Sequence, residues 1–307
     1  MQGLLKEFQN PSVRYRPLPF WSWNDKLDPE LLKWQIQEMK KVGLGGYFMH
    51  ARGGLETEYL SEEWMECVRE CIGEGNRQDL ESWLYDESGW PSGFAGGLVT
   101  AHGDKYHGRW LTIEDYDPEA TNLQTDNILG IYLIDSDQQV TKLETLTSPH
   151  AAERVVIIRH HANRDYIDVL NAEAVRLFIE YTHQRYLELF GEEFGTGLLG
   201  FFTDEPRLSG SVERDIPWSY VLPDKFQERY GYNLLAVLPA LFLPCADYIR
   251  VRYDFWQLVS NLFVTAFMKQ INEWCEKHNL VLTGHAMMEE SLFTQMTSTG
   301  GVMPFYE

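Results

Sequence analysis

The chain has 307 residues, 44% of them hydrophobic and 14% aromatic, and a formal net charge of -20. That length can bury the core of one or two domains. The charge excludes nucleic acid as a partner, because a phosphate backbone requires a basic face, and suits a neutral or cationic ligand instead.

The four cysteines, Cys67, Cys71, Cys245 and Cys275, show no CxxC or paired spacing. Cys67 and Cys71 fall one turn apart on an expected helix and read as small buried apolar groups. A reducing compartment is the expectation. The opening MQGLLKEFQN has no apolar centre of a signal peptide, and no apolar run is long enough to span a bilayer. A cytoplasmic location without a membrane partner is therefore expected.

Along the chain one pattern recurs: a short apolar strand, a polar end, then an amphipathic helix. The first strand is PLPFWSWN, ending at Asn24. Asp28 is placed to cap a helix with Pro29 at its first position, Leu32, Ile36, Met39 and Val42 hold helical spacing, and Gly43 stops it. GGYFMHAR is the second strand, ending at His50 and Arg52. Ser61 starts the next helix, with Glu62 and Glu63 where the dipole favours them and Trp64, Val68 and Cys71 as its apolar stripe. LESWLYDE is the third strand, ending at Asp86 and Glu87.

From about Leu98 to Ile167 the pattern changes. NILGIYLID, QVTKLETL and RVVIIRHH read as antiparallel strands, the first two joined by SDQQ. The strand–helix pattern resumes at Asn171 with a long helix carrying Val175, Phe178, Ile179, Thr182 and Tyr186. LLGFFTDE is the fourth strand. A short helix near Pro223–Tyr230, a long one from about Asp247 to Lys277 and the strand LVLTGHA follow. The spacing predicts an α/β fold of the (β/α)8 TIM-barrel type, incomplete in this chain at about five strand–helix units, with a small antiparallel β insert after the third strand. Residues 1–97 form the first part of the barrel, 98–167 the insert, and 168–307 its continuation. The ending GGVMPFYE has no cap, helix or polar tail and reads as a truncation.

No GxGxxG or GxxxxGK[ST] follows a strand, so a nucleotide-binding sheet loses its support. Every strand instead ends in groups able to do chemistry: Asn24, His50, Asp86 with Glu87, Asp204 with Glu205, and His285. Barrel active sites are built at those ends. Paired carboxylates among many aromatic residues point to sugars, since a glycosidic bond is cleaved by one carboxylic acid and a second carboxylate about 5–10 Å away. Trp21, Trp23, Trp90 and Trp218 lie near strand ends or loops, where a ring can stack on a sugar or simply pack.

Glu205 is the first candidate for the catalytic acid, because it ends the most hydrophobic strand and burial raises a carboxyl pKa. Asp204 beside it points the other way if strand geometry persists, and suits orientation or a metal. Glu289 and Glu290 are candidates for the second carboxylate, against the reading that they are solvated on a surface helix. Trp23, Asn24, His50, Arg52, Asp86, Glu87, Trp90 and His285 are the substrate-binding candidates. Of these, Asp86, Glu87 and Trp90 belong to the tightly turning stretch YDESGWPSGFAGG.

PFWSWN, EMKKVGLGGYFMHARGGL, YLSEEWMECVRECI, YDESGWPSGFAGG and GFFTDEP together resemble glycoside hydrolase family 106, the α-L-rhamnosidase-like enzymes. The resemblance spans Pro19–Gly97 and about Tyr166–Glu290. It implies a (β/α)8 barrel, hydrolysis of terminal α-L-rhamnosides with inversion, a carbohydrate substrate as partner and a calcium ion in the site. Glu205 matches the acidic residue of the DEP motif, and Asp86, Glu87 and Trp90 match the glycine-rich loop; no catalytic base is matched, and members are much longer than this chain. Two other classes compete: a metal-dependent hydrolase using His50, His285, Asp86 and Asp204, and a sugar-binding barrel without turnover.

Overall fold

A computed structural model describes residues 2–117, 127–144, 154–208 and 216–298. In chain order its elements begin with α1 (Gln2–Gln9), β1 (Phe20–Trp23), α2 (Pro29–Lys41), β2 (Gly46–Ala51), α3 (Glu62–Gln78) and β3 (Glu81–Ser88). Next come β4 (His107–Asp115), β5 (Ile128–Ile134), β6 (Val140–Leu143) and β7 (Arg154–Ile167), then α4 (Ala172–Tyr181), α5 (His183–Phe190) and β8 (Leu198–Asp204). The chain continues through β9 (Ile216–Trp218), α6 (Leu222–Tyr230), α7 (Leu234–Val237), α8 (Tyr248–Phe263), α9 (Lys269–Lys277), β10 (Val281–His285) and α10 (Leu292–Ser298). Thr145 and Leu146, at the end of an expected insert strand, and the GGVMPFYE ending lie outside the described residues.

The helix starts follow the local chemistry. The Asp28 carboxylate accepts from Glu30 N–H at 2.9 Å, and the Ser61 hydroxyl accepts from Trp64 N–H at 3.2 Å, each satisfying a donor that a helix start leaves open. The expected long helix after Asn171 is broken in two at Thr182. The Thr182 hydroxyl bonds back to the Phe178 carbonyl at 2.6 Å, and its backbone turns to φ -105, ψ -78. Ser and Thr side chains bonding to the preceding turn bend helices in this way. The expected helix from Asp247 to Lys277 likewise carries a π-helical segment, Val264–Met268, between α8 and α9.

The chain divides into two compact units. The first comprises Met1–Ala101, Arg176–Pro206 and Lys269–Met287. It holds a parallel sheet in the order β1-β2-β3-β8-β10, so neighbouring strands follow one another along the chain. The five parallel strand units expected from the sequence are present, and among the described residues they form an open sheet rather than a closed barrel, with β1 and β10 at its edges. Closure needs about eight strands, and five leave the sheet open.

Strand alternation sorts this sheet into two faces. On one, Trp23, Tyr47, Leu84 and Phe201 are buried with Ile36 of α2, Trp64, Val68 and Cys71 of α3, Tyr186 of α5 and Ile271 and Cys275 of α9. Removing such side chains from water contributes about 1.5–3 kcal/mol each. The other face carries Phe20, Phe48, His50, Tyr85, Phe202 and His285 in edge-to-face and stacked contacts, with Phe20 43% exposed. Gly200 lies on that face, where a Cβ would come within 2.4 Å of the Trp83 ring.

The second unit comprises His102–Val175, Arg207–Met268 and Met288–Glu307. Its sheet, in the order β6-β5-β7-β4-β9, is antiparallel. The sequence located β5, β6 and β7; β4 and β9 are added by the structure, β9 from a segment well downstream of the insert. No helix among the described residues is long and apolar enough to cross a membrane.

Candidate active site

The first unit gathers chemistry at the C-terminal end of β8. Alternation along Phe201, Phe202, Thr203 and Asp204 turns Phe202 and Asp204 to the aromatic face and Phe201 and Thr203 to the helices. Glu205 leaves this alternation, because its backbone is left-handed (φ 47) and its N–H donates to the His285 carbonyl at 3.1 Å. A non-glycine residue in this region costs about 1–2 kcal/mol, so its neighbours hold it there. The Glu205 carboxylate accepts the indole N–H of Trp90 at 2.8 Å.

Asp204 is buried and pinned through both backbone and side chain. Its Oδ2 accepts the Tyr85 hydroxyl at 2.9 Å, and its Oδ1 lies 3.5 Å from His285 Nδ1. Burial and the Asp204 charge raise the Tyr85 pKa, so the phenol remains a donor. Ser92 grips the backbone: its N–H donates to the Asp204 carbonyl and the Asp204 N–H donates to its hydroxyl, both at 2.8 Å. The same hydroxyl donates to Asp86 Oδ1 at 2.5 Å.

The YDESGWPSGFAGG stretch folds around Glu87. Its buried carboxylate accepts N–H groups from Ser88 (2.7 Å), Gly93 (3.1 Å), Phe94 (2.6 Å) and Ala95 (2.8 Å). Burial raises its pKa, and these four donors oppose the rise by favouring the anion. The turn presents Trp90, 42% exposed and joined to Pro91 by a cis peptide bond. Glu87 thus holds the loop that carries Trp90.

The remaining candidates separate. His50 is buried on the aromatic face, stacked on Tyr85 with ring centres 3.6 Å apart. Neither ring nitrogen has a hydrogen bond of normal geometry, and burial and the Arg52 charge lower its pKa to about 4, against a contact from the Gly89 backbone. His285 is half exposed beside Asp204, and Arg52 and Asn24 are exposed at the ends of β2 and β1. The Asn24 carbonyl lies against Gly54, where φ is +100 and a Cβ would approach to 2.9 Å. Trp23 lies in the hydrophobic core, its ring 4.8 Å from Trp64, and Asp86 is buried on the helix-facing side. Glu289 and Glu290 belong to the second unit, in the turn before α10, where the Glu289 carbonyl accepts from Gln295.

A calcium ion takes about six to eight oxygen ligands. Among the described residues no group of three or more His, Cys, Asp or Glu could hold a metal, and both Asp204 oxygens already face protein groups. These described residues do not fit a calcium site. Tyr85, Ser92 and His183 escaped the sequence reading. For Ser92 the signal was present in the glycine-rich stretch; for Tyr85 it was its alternation with Asp86.

No family model and no curated protein matches the chain by sequence. Its fold is similar to that of a solved rhamnosidase from Novosphingobium sp. PP1Y, with a TM-score of 0.65 at 12% sequence identity. The match covers 94% of this chain and 47% of the rhamnosidase, so the chain spans about half the length of that neighbour.

Proposed function

We propose that this chain carries the acid half of a glycoside hydrolase site for terminal sugars of the α-L-rhamnoside type. The observation that carries the reading is the Glu205 carboxylate bound to the exposed Trp90 indole at the end of a parallel strand. Glu205 would deliver a proton to the leaving oxygen, and the Trp90 N–H would stabilise the carboxylate left behind. The apolar face of a sugar ring would pack on the indole. The five parallel strands, adjacent in chain order, support reading the sheet as part of a (β/α)8 barrel, as does the likeness to a rhamnosidase. Asp204, bound by Tyr85 and His285, is assigned to holding the strand end rather than to proton transfer. Glu289 and Glu290 stay candidates for the second carboxylate.

The test is turnover of aryl α-L-rhamnosides by the protein and by Glu205→Gln. Loss of a general acid is expected to lower kcat by about 100- to 10,000-fold. A Gln variant as fast as the wild type overturns the role of Glu205. Sugar binding without turnover in the wild type would instead make the chain a carbohydrate-binding module. Glu289→Gln and Glu290→Gln are measured alongside: a loss of kcat as large as that of Glu205→Gln supports a role as the second carboxylate, and wild-type kcat in both returns them to the reading of solvated surface glutamates.

A further inference from the structure

We propose that Asp86 is a neutral positioning residue: it shares one proton with His183, and through Ser92 this pair fixes the strand end that carries Asp204 and Glu205. The catalytic consequence rests on the reading of Glu205 above; the shared proton does not.

The argument is an inventory of protons. Ser92 Oγ already accepts the Asp204 N–H, and its own proton goes to Asp86 Oδ1. That oxygen is therefore an acceptor. On the far side, the Thr182 hydroxyl lies 2.6 Å from the Phe178 carbonyl, which can only accept, so the hydroxyl proton points there. His183 Nδ1 is 2.8 Å from the same hydroxyl oxygen and must be the donor. The imidazole is thereby the Nδ1–H tautomer, and its Nε2 presents a lone pair.

Nε2 and Asp86 Oδ2 face each other at 3.8 Å, both fully buried and both without a hydrogen-bond partner. Two lone pairs opposed in a dry interior repel, and a single proton between them satisfies both atoms. It belongs on the carboxyl. Burial raises the Asp86 pKa to about 8 and lowers that of His183 to about 3, so each favours its neutral form. The charged and titratable groups facing Asp86 offer no cation: Tyr85 and Glu87 on its own strand, Tyr59 before α3, Tyr186 on α5, Asp204 on β8 and Cys275 on α9. His183 is surrounded by the rings of Phe178, Phe201 and Trp274. The Thr203 hydroxyl approaches Asp86 but makes no hydrogen bond of normal geometry. The 3.8 Å between Asp86 and His183 exceeds a hydrogen bond, so the proposed proton draws the two side chains together and completes one directed chain: Asp204 N–H to Ser92, Ser92 to Asp86, Asp86 to His183, His183 to Thr182, Thr182 to Phe178.

An amide reproduces this pattern, since the oxygen of Asn accepts from Ser92 while its N–H donates to Nε2. Asp86→Ala is therefore expected to lower the thermal midpoint and to cut kcat by about tenfold or more with little change in KM, and Asp86→Asn to restore both to within about threefold of wild-type kcat. Thr203→Val should leave the midpoint near that of the wild type. Two readouts need no activity. Nitrogen NMR of the ring, assigned with His183→Phe, is expected to show a protonated Nδ1 and an unprotonated Nε2 from about pH 5 to about pH 8. Infrared spectra at neutral pH should contain a protonated-carboxyl band that Asp86→Asn removes. An imidazolium signal, a missing carboxyl band, or an Asn variant as unstable as the Ala variant overturns the proposal. If the wild type turns over no glycoside, the spectra and midpoints still decide it.

Discussion

Asp204 and Glu205 are adjacent, and the backbone between them decides that they meet different partners. Asp204 ends the regular strand and is held by Tyr85 and Ser92; Glu205 turns left-handed and meets Trp90. At the same scale, Asp86 links stability to pH. Its native pKa of about 8 lies above the ordinary carboxylate value of about 4, so between those pH values the native state holds a proton that the unfolded chain has released. The stabilisation is complete below about pH 4 and is lost as pH rises to about 8, with a slope of at most about 1.4 kcal/mol per pH unit. His50 and His183, lowered to about 4 and about 3, act in the opposite sense and lose stabilisation as pH falls below about 6.5. The difference in unfolding free energy between wild type and Asp86→Asn isolates the carboxyl. It is expected to decline steadily between about pH 4 and about pH 8, and urea unfolding at a series of pH values measures it. A difference independent of pH would place the native pKa at its ordinary value.

At the scale of elements, the loop from Ser88 to Ala95 owes its shape to one side chain. Four backbone N–H groups converge on Glu87, and a buried carboxylate with that many donors behaves as the loop's internal anchor. Glu87→Gln puts an amide N–H2 against one set of these donors and removes the charge from the rest. Unfolding free energy is expected to fall by about 2–3 kcal/mol, measured by chemical denaturation. A variant as stable as the wild type would mean the loop is shaped by its glycines and Pro91 instead. The break between α4 and α5 belongs to the same scale. It turns Thr182 inward to the Phe178 carbonyl and delivers His183 to the helix-facing side of the sheet, opposite Asp86.

For the whole molecule, 46 acidic residues against 26 basic ones set the long-range field. Like charges repel one another more in the folded state than in the expanded chain. Salt screens this, since the Debye length shrinks from about 30 Å at 0.01 M to about 8 Å at 0.15 M. The thermal midpoint is expected to rise by about 2 °C or more between those ionic strengths, read by circular dichroism. A falling midpoint would show that local pairs such as Arg159–Glu114 outweigh the net charge. The chain crosses between the two units repeatedly, which is why the second sheet takes β9 from beyond β8 rather than from the insert alone.

Much of this protein is written locally. Asp28 and Ser61 cap helices where their sequence positions predicted, the five parallel strands lie where apolar runs meet polar ends, and the glycine-rich stretch is a tight loop, because caps, alternation and turn chemistry depend on residues a few positions apart. The five strands were legible and their assembly into a larger sheet was not, since a repeating strand–helix pattern reports the unit and not the number that assemble. The candidate site was legible as a set of strand ends but not as a set of contacts. Trp90 reaches Glu205 across 115 residues, Ser92 reaches Asp204 across 112, and Tyr85 reaches Asp204 across 119. Which face of the sheet Asp86 occupies, where the left-handed turn aims Glu205 and what His183 meets are decided by tertiary packing, because only there do groups so distant along the chain settle which of them holds each proton.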